Sequence, residues 1–595
     1  MLVKRLPIEI LQDIIYYLSR QDITTCQTIC KKWYKTFIPI TYHTVQIIGS
    51  IQFQKFFKHA LSNSIYPKGS VYAVGTQVRN LSIENGHIEP LTLGQLPVLL
   101  PFLQVFVFDG TVLSKESLAE PLHHYQQRKN KQELDKVNHH FGAWKHMRQL
   151  VQSNGICVAH ALLAASSSSS LTHLSIQFNN SNDRTNSKKL FISLLKNAPL
   201  LQSLSVERIY LDADELEQIH QNNPKLSSLA LINTVFSPIP QQDFSLKQVQ
   251  PVQPLHQLEF LDVDFSGDTL SWLEYICKKY TGVKVLDINE SSVSKEPEAT
   301  YQHALLQIAV TFTRLEILRL LPFVLGYSFF ETLDRNGRYL TELGFGDGFN
   351  TGQLINELKA FVKSKQTDSI VSLAIHGTFS VLVMDTMQAC KNMTTLDLSM
   401  RSSLEPIDVD CILKSCAKLT RLRLSNAKLT VNRFHSRKQS FKLQSITLVH
   451  VVVDSETFFE MIRFQCPELT SLSLIEATTS LDARKWEVFL PQHQLKMLVM
   501  DRIRVSKKCS ARLGVSRFKI STEESKWYDL VGYECCTSGS SAKNRTPLYR
   551  MKARKVKVTT HGLDEVLDHN LDQSTHVSVQ CKDIHSIYLT GLKVK

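Results

Sequence analysis

Apolar residues recur along this chain in a short spaced unit, L-x-x-L-x-L, with Ile, Val, Met or Phe also admitted. The unit reads VRNLSI from Val78, LQVFVF from Leu103, LTHLSI from Leu171, LQSLSV from Leu201 and LSSLAL from Leu226. It continues as LEFLDV from Leu258, VKVLDI from Val283, LEILRL from Leu315, LTELGF from Leu340 and IVSLAI from Ile370. MTTLDL from Met393, LTRLRL from Leu419, LQSITL from Leu443, LTSLSL from Leu469 and LKMLVM from Leu495 complete the series. So loose a pattern occurs by chance, and the spacing decides: from Leu171 the steps are 30, 25, 32, 25, 32, 25, 30, 23, 26, 24, 26 and 26 residues. The last two apolar positions of each unit alternate with other residues, as in a short strand with one buried face. Stretches between the units, such as LFISLLKNAP from Leu190 and VDCILKSCAK from Val409, carry a helical period instead.

Steps of about 20–29 residues, with some longer ones, are those of leucine-rich repeats. Neither strand nor helix of such a unit buries its apolar side alone, so units stack on a continuous core. The predicted fold class is α/β: an all-helical N-terminal segment, then a leucine-rich-repeat αβ solenoid, a horseshoe or arc with parallel strands on its concave face. Cys390, Cys416 and Cys466 each stand three residues before a repeat's first apolar position, where Ala198 and Asn223 stand in other units. That offset predicts a small buried packing residue at the helix-to-strand corner, not a metal ligand or nucleophile.

The series is preceded by LPIEILQDIIYYLSRQDITTCQTICKKWYKTF, from Leu6. Pro7 suits the first turn of a helix, and Ile10, Leu11, Ile14 and Leu18 line one face of it. Asp22 is placed to cap a second helix whose apolar side is Ile23, Cys26, Ile29 and Cys30. Trp33 follows, and YHTVQI from Tyr42 reads as a first strand. About 40 residues bury little by themselves, so something must cover these apolar faces.

Leu6-Pro7, Glu9-Ile10-Leu11, Asp22-Ile23, Cys26, Ile29-Cys30 and Trp33-Tyr34 together resemble the F-box. An F-box followed by leucine-rich repeats resembles the substrate-receptor class of Skp–cullin–F-box ubiquitin ligases. The resemblance implies a non-catalytic adaptor without cofactor or metal. Its F-box docks on a Skp-type linker, which leads to a cullin scaffold with a RING subunit, and its repeats hold a target protein for ubiquitination and proteasomal degradation. It implies that Leu6, Pro7, Ile10, Leu11, Ile14, Leu18, Ile23, Ile29 and Trp33 face the linker. Use of the same helices merely as a cap on the first repeat is the competing reading.

Boundaries follow: 1–45 for the F-box, 46–505 for the solenoid with a polar insertion at about 123–142, and 506–595 for degenerate repeats or a cap. MRQLVQ is read as a degenerate repeat, residues 150–165 as a helix leading into the Leu171 strand, and IHSIYL from Ile584 as a terminal capping unit. The insertion's histidines (His123, His124, His139, His140 and His146) include no i, i+4 pair and have no cysteine nearby, so a solvated loop is favoured over a metal site. Residues 543–557 hold seven Lys or Arg and no acid. That run reads either as a basic edge strand or as a nuclear-import or nucleic-acid patch.

Charge and motifs narrow the function. Formal net charge is +13, which favours acidic partners. Twelve cysteines in 595 residues form no C-x-x-C pair, so reduced, buried thiols are expected. No apolar run is long enough for a membrane span, no signal peptide is apparent, and a cytoplasmic or nuclear protein is expected. The phosphate-loop, dinucleotide, nucleophile-elbow and zincin motifs are all absent from the sequence.

On the predicted strands, exposed positions lie between and just after the core leucines: Phe260, Asp262, Asp264 and Asp287, then Ile317 and Arg319, Asp397, and Arg421 with Arg423. These are the candidate substrate-binding residues, the three aspartates as one acidic patch. The Arg421–Arg423 pair suits an acidic or phosphorylated segment of a substrate. Two alternatives stay open: a repeat scaffold acting outside the ligase, and a basic solenoid binding nucleic acid, which is the disfavoured one.

Overall fold

The computed structural model describes residues 10, 14, 18, 20–63, 73–112, 141–178, 184–238, 254–267, 269–290, 298–321, 323, 325–346, 351–377, 381–400, 406–431, 440–453, 457–479, 485–505, 517–521, 525–530, 558–561, 576–589 and 592–593. The chain divides into two units, Met1–Glu296 and Pro297–Lys595.

The first elements described in full in the first unit are helices α1 (Arg20–Ile29) and α2 (Lys31–Thr41). Strands and helices then alternate: β1 (Thr44–Ile48), α3 (Ser50–Asn63), β2 (Asn80–Ile88), α4 (Pro90–Leu99), β3 (Val105–Val112), β4 (Gln149–Ser153), α5 (Cys157–Ala164) and β5 (His173–Gln177). After α6 (Arg184–Leu194) come β6 (Ser203–Glu207), β7 (Tyr210–Leu211), α7 (Ala213–Asn222), β8 (Ser228–Phe236), β9 (Phe260–Gly267), α8 (Thr269–Lys279) and β10 (Val285–Glu290). Strands β1 to β6 and β8 to β10 pair in chain order, all parallel, and the short β7 pairs beside β6 on β8.

The second unit holds α9 (Glu298–Thr311), β11 (Ile317–Leu321), α10 (Tyr327–Arg335), β12 (Glu342–Gly346), α11 (Thr351–Lys363), β13 (Ser372–Gly377), α12 (Val381–Ala389) and β14 (Thr395–Met400). It continues with β15 (Pro406–Asp408), α13 (Val409–Ser415), β16 (Arg421–Ser425), β17 (Lys428–Thr430), β18 (Ser445–Val449), β19 (Val452–Val453), α14 (Thr457–Gln465), β20 (Ser471–Ile475) and β21 (Thr478–Thr479). Its last described elements are β22 (Lys485–Asp501), β23 (Arg504–Val505), β24 (Arg517–Ser521), β25 (Ser525–Leu530), β26 (Val558–His561), β27 (His576–Leu589) and β28 (Leu592–Lys593). The main ladder runs β11–β12–β13–β14–β16–β18–β20–β22–β27, every pair parallel. A second parallel ladder, β15–β17–β19–β21–β23, follows the turn after each main strand.

All fifteen L-x-x-L-x-L units are strands of these ladders, as are YHTVQI, MRQLVQ and IHSIYL. The α/β solenoid is therefore present in both units. Register explains the motif. Leu204, Leu229, Leu261 and Leu286 stand side by side on successive strands, as do Val206, Leu231, Val263 and Ile288, and all are buried. In the second unit Leu373, Leu396, Leu422, Ile446 and Leu472 form the same kind of column.

Polar positions of the motif also have repeated duties. The threonine after the first apolar residue sends its hydroxyl back to the preceding repeat's backbone: Thr172 to Arg148 O, Thr341 to Glu316 O, Thr420 to Thr394 O and Thr470 to Gln444 O, at 3.0–3.3 Å. Several strands are followed by a left-handed residue, among them Arg208, Asn426, His450, Glu476 and Arg502, with φ of 50–62°. A left-handed non-glycine residue costs roughly 1–2 kcal/mol. Amide bonds to the next repeat offset part of it: Arg208 N to Ile232 O at 2.9 Å, Asn426 N to Val449 O at 2.9 Å and His450 N to Ile475 O at 2.8 Å. At the corners, Cys390, Cys416 and Cys466 are buried, and burial pushes each thiol up to about 12.

Two expectations are corrected. Residues 150–165 are not one helix: β4 takes Gln149–Ser153 and α5 starts only at Cys157. Gln152 fills a core position there because its carbonyl accepts from Ala159 N at 3.0 Å and its amide donates to Cys157 Sγ at 3.3 Å, which satisfies the start of α5. Asp22 is no cap either; α1 begins at Arg20, and Asp22 sits in its first turn, where a carboxylate still complements the helix dipole. The basic run 543–557 and the histidines of the insertion up to His140 lie outside the described residues. His146 lies against Phe102, ring centroids 5.7 Å apart.

Helices of the first unit share a buried polar network. Lys279 and the Tyr275 hydroxyl both donate to Glu217 at 2.6 Å, and His220 Nε2 meets the Tyr280 hydroxyl at 2.8 Å. Burial works against the Glu217 carboxylate, yet the bonds from Lys279 and Tyr275 outweigh it and hold its pKa below the ordinary value. Burial, reinforced by Lys279, lowers His220 from 6.5 to about 4. The unfolded chain therefore binds a proton near pH 6.5 that the folded chain refuses until about pH 4. The neutral ring's contribution is complete above pH 6.5 and is lost as pH falls below it, by about 2 kcal/mol at pH 5. Urea unfolding at pH 7.5 and pH 5 is expected to show His220→Gln losing about 2 kcal/mol less on acidification than the wild type. Equal losses in both proteins would show that His220 is not the titrating group.

Candidate functional site

Helix α2 has a buried side, and apolar residues near it are exposed. On α2, Phe37 and Ile38 are fully buried, and the Trp33 ring stacks on Phe37 with centroids 5.2 Å apart and planes 12° apart. At the end of α2 the Tyr42 amide closes on Ile38 O at 3.0 Å, and His43 O accepts from Arg79 N and Asn80 N, so the chain passes directly into the first ladder. Outward, the helical residues Ile10 and Ile14 are 44% and 37% exposed, and Ile29 at the end of α1 is 60% exposed. Leu18, Ile23 and Trp33 are half-buried. Leu6, Pro7 and Leu11 lie outside the described residues.

Each main ladder also presents an outward face between its buried columns. In the first unit the middle row reads Gln46, Ser82, Val107, Val151, Ser175, Ser205, Ala230, Asp262 and Asp287. The row after it carries Glu84, Asp109, Glu207 and Asp264. Asp262 and Asp287 are direct register partners, Asp264 is one position on, and Phe260 opposes Val285. The outward rows of β1 to β6 and β8 to β10 hold no Lys or Arg. Neutral donors serve three of the carboxylates, Gln46 to Glu84 at 2.8 Å, Asn154 to Asp109 at 3.1 Å and Asn289 to Asp287 at 3.1 Å, while Arg208, just past β6, pairs with Glu207 at 3.2 Å. Burial raises the Asp264 pKa, against a bond from the Asn233 amide. Sequence reasoning missed Glu84, Asp109 and Glu207, although the same offset from the core leucines would have found them.

In the second unit the middle row is Arg319, Gly344, Ala374, Asp397, Arg423, Thr447, Ser473 and Val499. Arg319 is committed to Glu342, with Nε at 2.8 Å and Nη2 at 2.5 Å from Oε1, and its stem lies over Gly344. Arg423 lies 3.5 Å from Asp397 through Nε and Oδ2, and Arg421 points the same way two residues earlier. Burial raises the Asp397 pKa, opposed by Arg423 and then by His376 and Arg319. The acidic and arginine groups thus sit in different units, and Arg319 is not adjacent to Arg421 and Arg423.

Residues 3–44 match the F-box-like family. They form an F-box-like domain. Among solved structures, 148 chains are similar to this one. Among them are the leucine-rich-repeat protein LIC12759 of Leptospira interrogans (15% identity, 73% of this chain and 92% of that one, TM-score 0.32) and mouse RP105 with MD-1 (14%, 72% and 76%, 0.32). A third is the complex of Rad7 and Elc1 in yeast (14%, 74% and 90%, TM-score 0.33). No curated protein matches the chain significantly. Among the described residues no group of His, Cys, Asp or Glu could hold a metal ion, and no helix is long and apolar enough to cross a membrane.

The F-box-like domain therefore divides its apolar residues, Phe37 and Ile38 going to the interior and Ile10, Ile14 and Ile29 to the surface. The two sets should respond differently to truncation. Phe37→Ala is expected to cost about 3–5 kcal/mol in urea unfolding, and Ile29→Ala less than about 0.5 kcal/mol. Similar costs for both would contradict the division.

Proposed function

We propose that this protein is a non-catalytic substrate adaptor of a Skp–cullin–F-box ubiquitin ligase, working without a cofactor in the cytoplasm or nucleus. The observation that carries the reading is the coincidence of the F-box-like match at residues 3–44 with an exposed apolar set, Ile10, Ile14 and Ile29, next to α2, whose Phe37 and Ile38 are buried. A Skp-type linker would cover that set together with Leu6, Pro7, Leu11, Leu18, Ile23 and Trp33, and through the linker the chain joins a cullin and RING subunit. Large apolar side chains at the centre of such a contact supply most of its affinity.

The outward sheet faces are the substrate side of this reading. Phe260, Asp262, Asp264 and Asp287 in the first unit, and Arg319, Arg421 and Arg423 in the second, are the residues proposed to touch the target. The adaptor accelerates ubiquitin transfer by holding a target lysine near the charged conjugating enzyme, converting a bimolecular encounter into an intramolecular one.

Co-purification with a Skp-type linker tests the reading. The wild-type chain is expected to form a stable 1:1 complex. Replacement of Ile10, Ile14 and Ile29 together by Ala is expected to weaken it at least tenfold, equivalent to about 1.4 kcal/mol or more, with an unchanged melting temperature. Undiminished linker binding by the triple variant would overturn the interface.

A further inference from the structure

On the second unit's outward face, Arg421 and Arg423 differ from the other charged groups in having no committed acceptor. Both are exposed and point outward from β16. Arg421 has no ion pair or hydrogen-bonded side chain among the described residues. Among the described residues the single counter-charge to Arg423 is Asp397 at 3.5 Å, beyond the roughly 2.7–2.9 Å of a charge-assisted hydrogen bond. Asp397 Oδ1 is buried without a hydrogen-bond partner among the described residues. Three strands away, the Arg319–Glu342 pair shows what a closed pair looks like on this face, with two contacts at 2.5 and 2.8 Å to one oxygen.

The surroundings favour an anion. Register places Thr395 and Ser445 on either side of Arg421, and Thr447 beside Arg423 with Ser473 on the next strand. With strands about 4.8 Å apart, these hydroxyls border the two guanidinium groups. No aromatic side chain stands in the outward rows of β14, β16, β18 or β20, so a stacking platform for nucleic-acid bases is missing beside the arginines.

We propose that Arg421 and Arg423, bordered by Thr395, Ser445 and Thr447, bind an oxyanion of the protein substrate, a phosphoryl or carboxylate group, which takes Arg423 from Asp397. This rests on the adaptor reading only in calling the ligand a substrate; the anion site itself stands on the geometry. Guanidinium groups grip both planar carboxylates and phosphoryl oxygens bidentately, and Asp397 is the internal competitor the ligand displaces.

The test uses the full chain with its linker and immobilised degenerate nonapeptide pools with phosphoserine, glutamate or serine fixed at the centre. Retention on the phosphoserine or glutamate pool is expected to exceed that on the serine pool at least tenfold. Preference for phosphoserine alone identifies a phosphorylated source, and preference for both an acidic one. Arg421→Ala with Arg423→Ala is expected to abolish the preference, and Asp397→Asn to strengthen retention several-fold. Arg421→Gln alone provides the reading should the double variant fold poorly, and is expected to reduce the preference at least threefold. Equal retention on all pools, or a preference that survives both arginine variants, overturns the site; unchanged retention by Asp397→Asn overturns the role of Asp397. Linker capture on the same preparations separates the two ideas. Loss of linker binding with intact anion preference rejects the adaptor and leaves the site, and the reverse rejects the site alone.

Discussion

Two columns of buried side chains, carried from strand to strand in fixed register, are the constraint on which each unit depends. Leu396 and Leu398 of β14 meet Leu422 and Leu424 of β16, which meet Ile446 and Leu448 of β18. A slip of one residue would turn both columns to the solvent side and expose an apolar stripe along the ladder. No repeat holds this arrangement alone, since its strand edge and its helix face are both completed by neighbours. The threonine bonds and the left-handed turn amides are the backbone form of the same dependence. Each satisfies a polar group of one repeat with a group of the next, so register and hydrogen bonding reinforce each other.

Legibility in the sequence follows from that constraint. The strands could be read because their leucines obey a rule shared by all repeats, and the corner cysteines because they keep one offset. Gln152 could not be read: its position is apolar in other repeats, and only the approach of Cys157 and Ala159 makes an amide acceptable there. The start of α1 was misplaced because an aspartate serves a helix N-terminus as well from the first turn as from the cap. Near the C-terminus, β24, β25 and β26 pair antiparallel to one another with β24 beside β27, an arrangement that no repeat signal announces. The partner of Arg319 was also invisible, since Glu342 lies 23 residues away and becomes adjacent only through the register of β11 and β12.

The N-terminal helices show the opposite economy. Two short helices cannot enclose a core, and Phe37, Ile38 and the stacked Trp33 are absorbed where α2 enters the first ladder. Pro39 in the last turn of α2 and the bonds of His43 O to Arg79 and Asn80 fix that entry. With α2 spending Phe37 and Ile38 on the interior, Ile29 at the end of α1 and the helical Ile10 and Ile14 before it remain exposed. The sequence showed that the segment was too apolar to stand alone; which residues stay outside depends on how α2 meets β1, and that is a tertiary property.

The outward rows are free of the core's constraint, and the two units use that freedom differently. In the first unit, carboxylates stand on adjacent strands, Asp262 directly opposite Asp287, a placement that destabilises a sheet through like-charge repulsion. The outward rows themselves hold no Lys or Arg; Gln46, Asn154 and Asn289 donate amides to Glu84, Asp109 and Asp287, and Arg208, just past β6, pairs with Glu207 at 3.2 Å. Amides satisfy hydrogen bonding without cancelling charge, so the bonds to Glu84, Asp109 and Asp287 leave those carboxylates negative, whereas Glu207 shares its charge with Arg208. In the second unit Arg319 is neutralised by Glu342, while Arg423 is held loosely by Asp397 and Arg421 by no charged group among the described residues. Because side chains alternate across a strand, the same buried columns carry an anionic face in one unit and a cationic spot in the other, and the electrostatic character of each is set at positions the core does not see.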